Sequence, residues 1–403
     1  MPNNKRRVVI LSEIISPYRI PVFNALARHD GVDLHVVFLS ETDAGLRQWR
    51  VYKDEIHFSY EVLPSARFRA GRASLLLNWK LRSSLKKFAP EVIICGGYNY
   101  IASWEALWWA RSHDAELILW AESNHYDARS GLEWVESLKA YFLSRCDRFV
   151  VPGRAAAQYL ESLGSAAASI SIAPNAVDND WFRKQAEKAR ASDFQASEFR
   201  RRLALPARFL LYVGRLVPEK GVFDLLEAYA ELDPETRSTV GLAFAGDGPS
   251  KSELEWRAQD ISPGAISFPG FLHREDLACM YALAEALILP THSDTWGLVV
   301  NEAMACGLPV VVTSVAGCAI DLVNDGWNGY IVPLRDPEEL RAAMGSLLQD
   351  SELRQKMSAR SRERIRNYSP EACAQGLAAA ALASTNLVQT RHDKTSEVQW
   401  MTG

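Results

Sequence analysis

The sequence predicts an α/β protein with two doubly wound, Rossmann-like domains that face each other across a cleft. Short apolar runs alternate with segments of helical spacing along most of the chain, which is the βαβ pattern of a parallel sheet covered by helices. The alternation stops once, in the polar and charged stretch 180–202. A chain of 403 residues is also too long for one core, at roughly 100–200 residues per domain.

Five strands are predicted in the first half of the chain, because each is a short apolar run. They lie at 8–11, 34–39, 91–95, 116–121 and 148–151. Between most of them the apolar residues recur at helical spacing, as in Trp134, Leu138, Tyr141 and Phe142.

Six further strands are predicted after the polar stretch, at 209–213, 240–245, 265–268, 286–289, 309–312 and 330–332. Asp336, followed by Pro337 and two acids, is a strong helix start, so helices are expected over 338–383. Ligands of doubly wound sheets bind at the carboxyl ends of the strands. Two facing domains therefore predict a site in the cleft between them.

Composition narrows the class of protein and its compartment. The net charge is −4, which gives no general attraction to nucleic acid. The six cysteines show no Cys-x-x-Cys spacing, which favours a reducing compartment over a disulfide framework. No apolar stretch reaches the ~18–20 residues of a membrane span. We therefore expect a cytoplasmic protein, with peripheral attachment at the inner face of the membrane as the alternative.

The first chemical motif follows the strand predicted at 209–213. Gly214 permits a tight turn, and the cations Arg215 and Lys220 follow before a helix that begins near Gly221. A guanidinium, an ammonium and a helix N-terminus together suit a diphosphate group. The alternative is a turn that carries two solvated cations.

Two glycine-containing turns end the next two strands. The first, Gly246-Asp247-Gly248, allows the backbone to approach a ligand closely, although Gly-Asp-Gly-Pro is also ordinary turn chemistry. The second, Gly270-Phe271-Leu272, precedes a helix that begins near Arg274. Its exposed backbone groups suit the edge of a nucleobase.

The fourth motif is the segment Asp294-Thr295-Trp296-Gly297-Leu298-Val299-Val300-Asn301-Glu302. Apolar spacing after Gly297 predicts a buried helix whose N-terminus offers free N–H groups to an anion. Burying Asp294 and Glu302 is costly unless each has a partner, and a ligand rich in hydroxyl groups supplies partners. The alternative is that Asp294 caps the helix and Glu302 pairs with a surface cation.

Taken in order, these segments resemble the C-terminal half of glycosyltransferase family 4, the group 1 family of retaining enzymes with the GT-B fold. The family pattern has a Gly-Arg…Glu-Lys-Gly turn, a Gly-Asp/Glu-Gly turn, a Gly-Phe/Tyr loop and an E-x7-E element. In this chain they lie at 214–221, 246–248, 270–271 and 294–302. The segments 174–178 and 325–329 fit as well. The first half resembles the family only in its βαβ pattern.

The resemblance implies limits for the domains. An acceptor-binding domain covers residues 1–178, and a linker region covers 179–205. The nucleotide-sugar-binding domain covers 206–366. A crossover helix at 367–385 packs back on the first domain, and a polar tail occupies 386–403.

The resemblance also implies how the phosphates are held. Arg215 and Lys220 would bind the diphosphate, and the N–H groups of Leu298 and Val299 would add to its binding. The remaining donor-binding residues outside the base loop are Gly214, Gly246, Asp247, Gly248, Thr295, Trp296 and Gly297.

The other parts of the donor have their own implied partners. Glu302 would bind the ribose hydroxyls, and Asp294 would contact the transferred sugar. Gly270, Phe271 and Leu272 would surround the base. With Arg215 and Lys220, the two acids form the predicted catalytic set.

The chain departs from the family pattern in two places. The first acid is Asp294, one methylene shorter than the family Glu, which puts the choice of sugar in question. The family's glycine-rich loop after the first strand is replaced by the segment 15–21, which two prolines stiffen. Tyr18 and Arg19 are therefore expected to point into the cleft, where they shape the acceptor site or bind phosphate.

The first domain is the acceptor side in this family, and two of its strand ends suit that role. Gly97 and Tyr98 provide access and an aromatic ring for stacking on a sugar. Glu122, Asn124 and His125 follow the strand at 116–121. Many relatives carry a His near position 122, and any of these three residues is a candidate for its place. The alternative for both loops is turn and cap chemistry.

The segment 67–88 is basic throughout. Its cations are Arg67, Arg69, Arg72, Lys80, Arg82, Lys86 and Lys87, and it contains no acid. Leu77, Leu81, Leu85 and Phe88 recur at helical spacing, which predicts a basic amphipathic helix. Such a helix either lies on an anionic membrane surface or packs on the core with a solvated basic face.

The predicted function is a retaining glycosyltransferase of polysaccharide biosynthesis. It moves a hexose-type sugar from a UDP- or GDP-sugar to a hydroxyl of a glycan, lipid-linked or small-molecule acceptor. No cofactor is expected, and no metal, because a DxD-type metal motif is missing. The alternatives are a catalytically silent nucleotide-sugar-binding regulatory subunit and a GT-B-shaped nucleotide-sugar epimerase.

Overall fold

The computed structural model describes residues 5–43, 49–70, 73–127, 133–262 and 264–383. In these ranges the first half of the chain contains the strands β1 (Arg6–Ser12), β2 (Val32–Phe38), β3 (Ser59–Val62), β4 (Ser65–Ala70), β5 (Ala73–Asn78), β6 (Val92–Cys95), β7 (Glu116–Trp120), β8 (Arg148–Val151) and β9 (Ile170–Ile172). Its helices are α1 (Arg19–Ala27), α2 (Leu81–Phe88), α3 (Ile101–Ser112), α4 (Glu133–Arg145) and α5 (Arg154–Ser162).

Seven of these strands form one parallel sheet in the order β3-β2-β1-β6-β7-β8-β9. All five predicted strands of this half are present. β3 and β9 were not predicted. They are the edge strands and are only partly buried, so their sequences lack the continuous apolar run of a central strand.

The second half contains a parallel sheet of six strands in the order β12-β11-β10-β13-β14-β15. The strands are β10 (Phe209–Val213), β11 (Gly241–Ala245), β12 (Ile266–Gly270), β13 (Ala286–Leu289), β14 (Val310–Thr313) and β15 (Gly329–Val332). All six were predicted from the sequence. Counted along the domain, this is the 3-2-1-4-5-6 order of a dinucleotide-binding sheet.

Helices cover both faces of this second sheet. They are α6 (Asn179–Arg190), α7 (Asp193–Arg202), α8 (Val222–Ala230), α9 (Pro234–Thr239), α10 (Lys251–Ile261), α11 (Arg274–Leu283), α12 (Leu298–Ala305), α13 (Ala319–Leu322), α14 (Pro337–Gln349) and α15 (Ser351–Ile365). A last described helix, α16 (Pro370–Leu382), follows them in the chain. The polar stretch that interrupts the strand pattern forms α6 and α7. Phe182 of α6 belongs to the apolar core of the second domain.

The last described helix crosses back to the first domain, as expected. Cys373 and Leu377 of α16 are fully buried in the core that contains Phe23 of α1. Arg148 of β8 donates hydrogen bonds to the carbonyl oxygens of Ala380 (3.0 Å) and Ala383 (2.9 Å), which caps the C-terminal end of α16. The predicted tail at 386–403 lies outside the described residues.

The predicted helix over 67–88 is wrong for most of its length. β4 and β5 form an antiparallel hairpin in which Phe68 pairs with Leu75, and only α2 is helical. Arg67 and Arg69 both bind the buried Asp43, which anchors one face of the hairpin. Arg72 lies outside the described residues.

Within the described ranges, every helix is too short or too polar to span a bilayer.

Candidate active site

The first and fourth motifs meet where the order of the second sheet reverses. β10 has β11 on one side and β13 on the other, so their carboxyl ends open the crevice in which such sheets bind ligands. The turn after β10 and the segment after β13 are bonded together, because the N–H of His292 donates to the carbonyl of Glu219 at 3.0 Å. Lys220 Nζ lies 2.6 Å from Asp294 Oδ2. The structure thus brings together two predicted catalytic residues that are 74 positions apart in the chain.

The glycine turns line the same edge of the sheet. The N–H of Gly246 donates to the carbonyl of Gly270 at 2.8 Å, and the N–H of Leu216 donates to the carbonyl of Asp247 at 2.9 Å. A Cβ atom on Gly246 would lie 1.8 Å from the carbonyl oxygen of Gly214. These three turns therefore need glycine at position 246 in order to lie side by side.

The two predicted phosphate-binding cations differ in their surroundings. Arg215 is exposed, and no acidic side chain in the described part of the chain pairs with it. Lys220 is bonded both to the Asp294 carboxylate and to the carbonyl of Ser293, at 3.0 Å. The guanidinium is therefore open to an anion, whereas the ammonium must share or give up its bond to Asp294 to bind one.

The fourth motif leads into helix α12, as predicted. Gly297 has a φ of 96°, and α12 begins at the next residue. The N–H groups of Leu298 and Val299 are in the first turn, where an α-helix provides no acceptor. Trp296 is buried, and its Nε1 donates to Asn301 Oδ1 at 2.8 Å. Its side chain therefore fixes the loop instead of facing the cleft.

Glu302 is completely buried within α12. The Tyr281 hydroxyl donates to its Oε2 at 2.6 Å, while Oε1 is buried and has no hydrogen-bond partner among the described residues. Burial raises the pKa of Glu302 to about 7, and the hydroxyl groups of Tyr281 and Tyr18, which both favour the charged form, offset this only in part. An unpartnered buried carboxylate oxygen is rare in folded proteins, and it leaves one acceptor of this carboxylate unused.

The predicted base loop lies at the seam between the domains. Phe271 is partly exposed and Leu272 is buried, and both line a small cavity of about 80 Å³. Tyr52 of the first domain lines the same cavity and donates to Glu275 at 3.3 Å. Arg274 binds Glu55 across the domain boundary, beside this cavity.

The predicted acceptor residues line a larger cavity of about 450 Å³. Gly97, Tyr98 and Glu122 contribute to its wall, together with Tyr18 and Arg19 from the loop after β1 and the start of α1. The cavity extends to the fourth motif, the segment 294–302 that is predicted to bind the donor and is called the donor segment below. Thr295 and Leu298 of this segment line the cavity as well. The acceptor-side and donor-side predictions therefore meet in one cleft.

Arg19 does not have the free guanidinium that phosphate binding needs. It forms an ion pair with Glu122, donates to Asn175 Oδ1 at 3.1 Å, and lies 3.9 Å from the centre of the Trp120 ring. Of the two roles left open for this residue, the geometry favours shaping the acceptor site.

The three candidate residues after β7, Glu122, Asn124 and His125, lie in different surroundings. Asn124 is buried, and its Nδ2 donates to the backbone oxygen of Asp294 at 3.1 Å. His125 is exposed, and its ring lies against Tyr159. Asn124 is thus the one that touches the donor segment directly.

Sequence reasoning missed Lys139 and Tyr281. Lys139 lines the larger cavity, although it lies in α4, where the sequence shows only apolar residues at helical spacing. In the structure Leu138 and Tyr141 of α4 are exposed, and Lys139 is buried. Nothing in the spacing indicates this inversion, because a lysine between apolar residues normally faces solvent.

In the described ranges, no group of three or more His, Cys, Asp and Glu side chains is arranged to bind a metal ion.

Two facing doubly wound domains, with an arginine-lysine turn at the reversal point of the second sheet, define the GT-B architecture. Family models agree with this class. "Glycosyltransferase Family 4" matches residues 22–181, and "Glycosyl transferases group 1" matches residues 193–364. The chain belongs to the group 1 glycosyltransferases.

Curated relatives carry transferase names. Sulfoquinovosyl transferase SQD2 of Arabidopsis thaliana is 28% identical over 307 residues, which is 73% of this chain and 57% of the relative. Alpha-D-kanosaminyltransferase of Streptomyces kanamyceticus is 35% identical over 41% of this chain and 43% of the relative. D-inositol 3-phosphate glycosyltransferase of Frankia alni is 35% identical over 47% and 49%. The chain spans about half the length of these relatives.

Solved structures share the fold. Anabaena HepE in complex with UDP and glucose superposes with a TM-score of 0.73 at 17% identity, covering 93% of this chain and 98% of that one. Sucrose-phosphate synthase of Thermosynechococcus elongatus has a TM-score of 0.70 at 19% identity, covering 93% and 97%. At these identities the likeness establishes the architecture.

Proposed function

We propose that this chain transfers a hexose-type sugar from a UDP- or GDP-sugar to a hydroxyl group of a glycan, lipid-linked or small-molecule acceptor, with retention of anomeric configuration. The proposal rests on one observation: several charged and polar groups at the reversal point of the second sheet lack an ion-pair or hydrogen-bond partner among the described residues. Arg215 lacks an acidic partner in the described ranges, the first N–H groups of α12 lack intrahelical acceptors, and Glu302 Oε1 lacks a donor. A nucleoside diphosphate supplies anionic oxygens for the first two and ribose hydroxyls for the third.

The proposed reaction needs stabilisation of the departing diphosphate. Arg215, the N-terminus of α12 and Lys220 supply fixed positive charge and N–H groups, which is electrostatic preorganisation. When Lys220 binds the diphosphate, Asp294 Oδ2 loses its ammonium partner and is left to accept a hydrogen bond from the transferred sugar. We expect a dissociative, front-face path, with the acceptor hydroxyl entering from the 450 Å³ cavity.

The comparisons support this proposal. HepE was solved with UDP and glucose, and the curated relatives are named as transferases of sugars. The ion pair between Lys220 and Asp294, which joins the turn after β10 to the segment after β13, supports a donor site between these two segments.

The first test is the Arg215→Ala variant. Removing one charge that stabilises a leaving group typically raises the barrier by about 2.7–4 kcal/mol, so we expect kcat to fall about 10²–10³-fold. Thermal stabilisation by UDP-, GDP- and ADP-sugars first identifies the donor, since ligand at 100 times Kd stabilises by about 2.7 kcal/mol. Turnover is then measured for wild type, Arg215→Ala and the control Arg201→Ala, an exposed arginine of α7.

Unchanged turnover in Arg215→Ala would show that the diphosphate lies elsewhere. Incubation with donor alone separates the other functions. An epimerised donor would favour the epimerase, and binding without hydrolysis or transfer would favour a regulatory subunit.

We also propose that the segment 67–88 contacts an anionic membrane surface. The structure replaces the predicted helix with a hairpin whose Phe68 and Leu75 are exposed, followed by an exposed Trp79. Exposed lysines at 80, 86 and 87 follow in sequence. Aromatic side chains beside lysines are typical of membrane-interface contacts.

Co-sedimentation with phosphatidylglycerol vesicles at low salt tests this contact. We expect the wild type to sediment and the double variant Phe68→Ser/Trp79→Ser to remain in the supernatant. Phe194→Ser in α7 is the matched control, because Phe194 is 80% exposed and lies outside this segment. A wild type that stays in the supernatant rules the contact out.

A further inference from the structure

The acceptor cavity contains a buried lysine that the proposed reaction does not use. Lys139 of α4 is only 9% exposed and lines the cavity together with Tyr98 and Tyr159. Its Nζ donates a hydrogen bond to the Tyr159 hydroxyl and lies 4.8 Å from the centre of that ring. Lysine is almost never buried without a partner, so this position calls for an explanation.

The compensation of this charge is incomplete. The carboxylate of Glu136 lies 3.4 Å from Lys139 Nζ, but its side chain is 50% exposed and therefore strongly screened. Asp127 also acts on this group of side chains, since its charge contributes to raising the pKa of Tyr98. The other cation of the cavity, Arg19, is already matched by Glu122.

Lys139 remains charged, and Tyr98 remains a donor. Burial lowers the pKa of Lys139, but the Tyr159 hydrogen bond and the nearby Tyr98 and Glu136 outweigh it, so the pKa is raised. Burial is the main cause that raises the pKa of Tyr98, so its hydroxyl keeps its proton. An ammonium and two hydroxyl groups therefore meet at one wall of the cavity.

This wall lies in the first domain, whereas the donor segment lies in the second. Lys139 and Leu143 come from α4, and Tyr159 and Leu160 come from α5. The cavity reaches from these side chains to Thr295 beside the donor acid. Its volume of about 450 Å³ lies within the ~300–1,000 Å³ range of small-molecule sites, and it is lined by both domains.

We infer that Lys139, Tyr98 and Tyr159 bind an anionic group of the acceptor, a phosphate or a carboxylate, at the wall of the cavity that the first domain provides. The inference rests on the proposed function, because it takes the 450 Å³ cavity as the acceptor site. It adds that the acceptor is an anion. The ammonium and the hydroxyls donate charge-assisted hydrogen bonds to the anion, and the reacting hydroxyl of the same molecule faces the donor.

The test compares anionic and neutral probes of the same skeleton. Binding of D-glucose 6-phosphate, D-glucuronate and D-glucose is measured by calorimetry on the full chain. We expect at least one anionic probe to bind wild type ten or more times more tightly than D-glucose. Glucose 6-phosphate and glucuronate separate a preference for phosphate from one for carboxylate.

Variants at position 139 assign the preference to this lysine. Lys139→Met should abolish it, and Lys139→Arg should retain it within about threefold, because the guanidinium keeps the charge. Tyr159→Phe removes one donor and should weaken the anionic probe without affecting D-glucose. Anionic probes that bind wild type no more tightly than D-glucose, or bind Lys139→Met as tightly as wild type, overturn the inference.

UDP-glucose binding to the same variants separates this inference from the proposed function. Lys139 is not part of the donor segment, so donor affinity should be equal in wild type and Lys139→Met, which also shows that the variant is folded. Anionic probes that bind through Lys139 while no nucleotide sugar binds would remove the proposed function and leave the anion site standing.

Discussion

Replacing Glu302 with Gln should make the protein more stable at high pH and a weaker binder of nucleotide. The carboxylate is fully buried, one of its oxygens lacks a partner in the described ranges, and burial raises its pKa to about 7. Gln keeps the oxygen that accepts from Tyr281 and removes the ionisable group. The expected gain in stability comes from the absence of a charge that the fold does not neutralise.

The size of the effect follows from the two pKa values. The ordinary value is 4.5 and the folded value is about 7, so the folded state binds more protons than the unfolded state between these values. Stability of the wild type therefore falls as pH rises through this window. Integration gives a penalty of about 1 kcal/mol at pH 5 and about 3 kcal/mol at pH 8, a change of about 2 kcal/mol.

The assay is the difference in Tm between Glu302→Gln and wild type as a function of pH. A change of about 1 kcal/mol moves Tm by ~2–4 °C in a domain of ~150–250 residues, so the difference should grow by about 4–8 °C from pH 5 to pH 8. Glu227→Gln on the exposed side of α8 is the control and should show no such growth. Parallel Tm curves for wild type and Glu302→Gln would refute the claim that Glu302 titrates while buried.

The same variant tests whether Glu302 binds the donor, which would explain why a destabilising buried acid is present. A hydrogen bond to a charged group contributes about 1.5–3 kcal/mol against about 0.5–1.5 kcal/mol for a neutral one. If ribose hydroxyls bind Glu302, UDP-glucose should bind Glu302→Gln about tenfold more weakly, since 1.4 kcal/mol is about tenfold in Kd. A variant that is more stable and binds donor equally well would show that Glu302 has no role in binding.

Two further predictions concern the donor side. Gly221→Ala should lower Tm and abolish stabilisation by the donor, because Gly221 has a φ of 66° and a Cβ there would lie 1.8 Å from the carbonyl oxygen of Pro290. Gly345→Ala in α14 is the matched control and should raise stability by about 0.5–1 kcal/mol, since nothing lies within 4 Å of its added Cβ. Thermal melts with and without donor measure both, and an unchanged Gly221→Ala would contradict the packing of this turn. Transfer should also persist in EDTA, because Arg215 and Lys220 supply positive charge at the proposed diphosphate site. Loss of transfer in EDTA with recovery on adding Mg²⁺ would show a metal requirement.

The strands and the donor motifs were predictable because their signals are local. A central parallel strand is buried on both faces, so it appears as a continuous apolar run, and a turn at its end needs glycine at a fixed offset. All eleven predicted strands are present. Lys220 follows β10 and Asp294 follows β13. Because these two strands are neighbours in the sheet, their carboxyl ends bring the two side chains together.

The hairpin β4–β5 was missed although its first strand carries a signal. Arg67, Phe68 and Arg69 alternate between polar and apolar, which is the period of a strand. The leucines farther along recur at helical spacing, and that pattern was preferred. In the structure Asp43, which lies outside the segment, binds both arginines and so holds them on one face of the hairpin.

The partners of buried charges could not be read from the sequence at all. Tyr281 lies 21 positions before Glu302, and Tyr159 lies 20 positions after Lys139. Each pair is brought together by packing between helices, not by a motif. The sequence shows which residues carry charge, whereas the cost of that charge depends on neighbours that only the fold supplies.

Asp294 shows how one departure from a family pattern can be accounted for by such neighbours. Its Oδ1 accepts from the N–H of Trp296, two residues on, at 3.2 Å, which is the turn that Asp and Asn side chains form with their own backbone. A glutamate is one methylene too long for this turn. The other carboxylate oxygen binds Lys220, and the backbone oxygen accepts from Asn124 of the first domain. The shorter acid is therefore held ahead of Gly297 by both carboxylate oxygens, so the position of the loop that we propose to contact the sugar depends in part on the aspartate side chain.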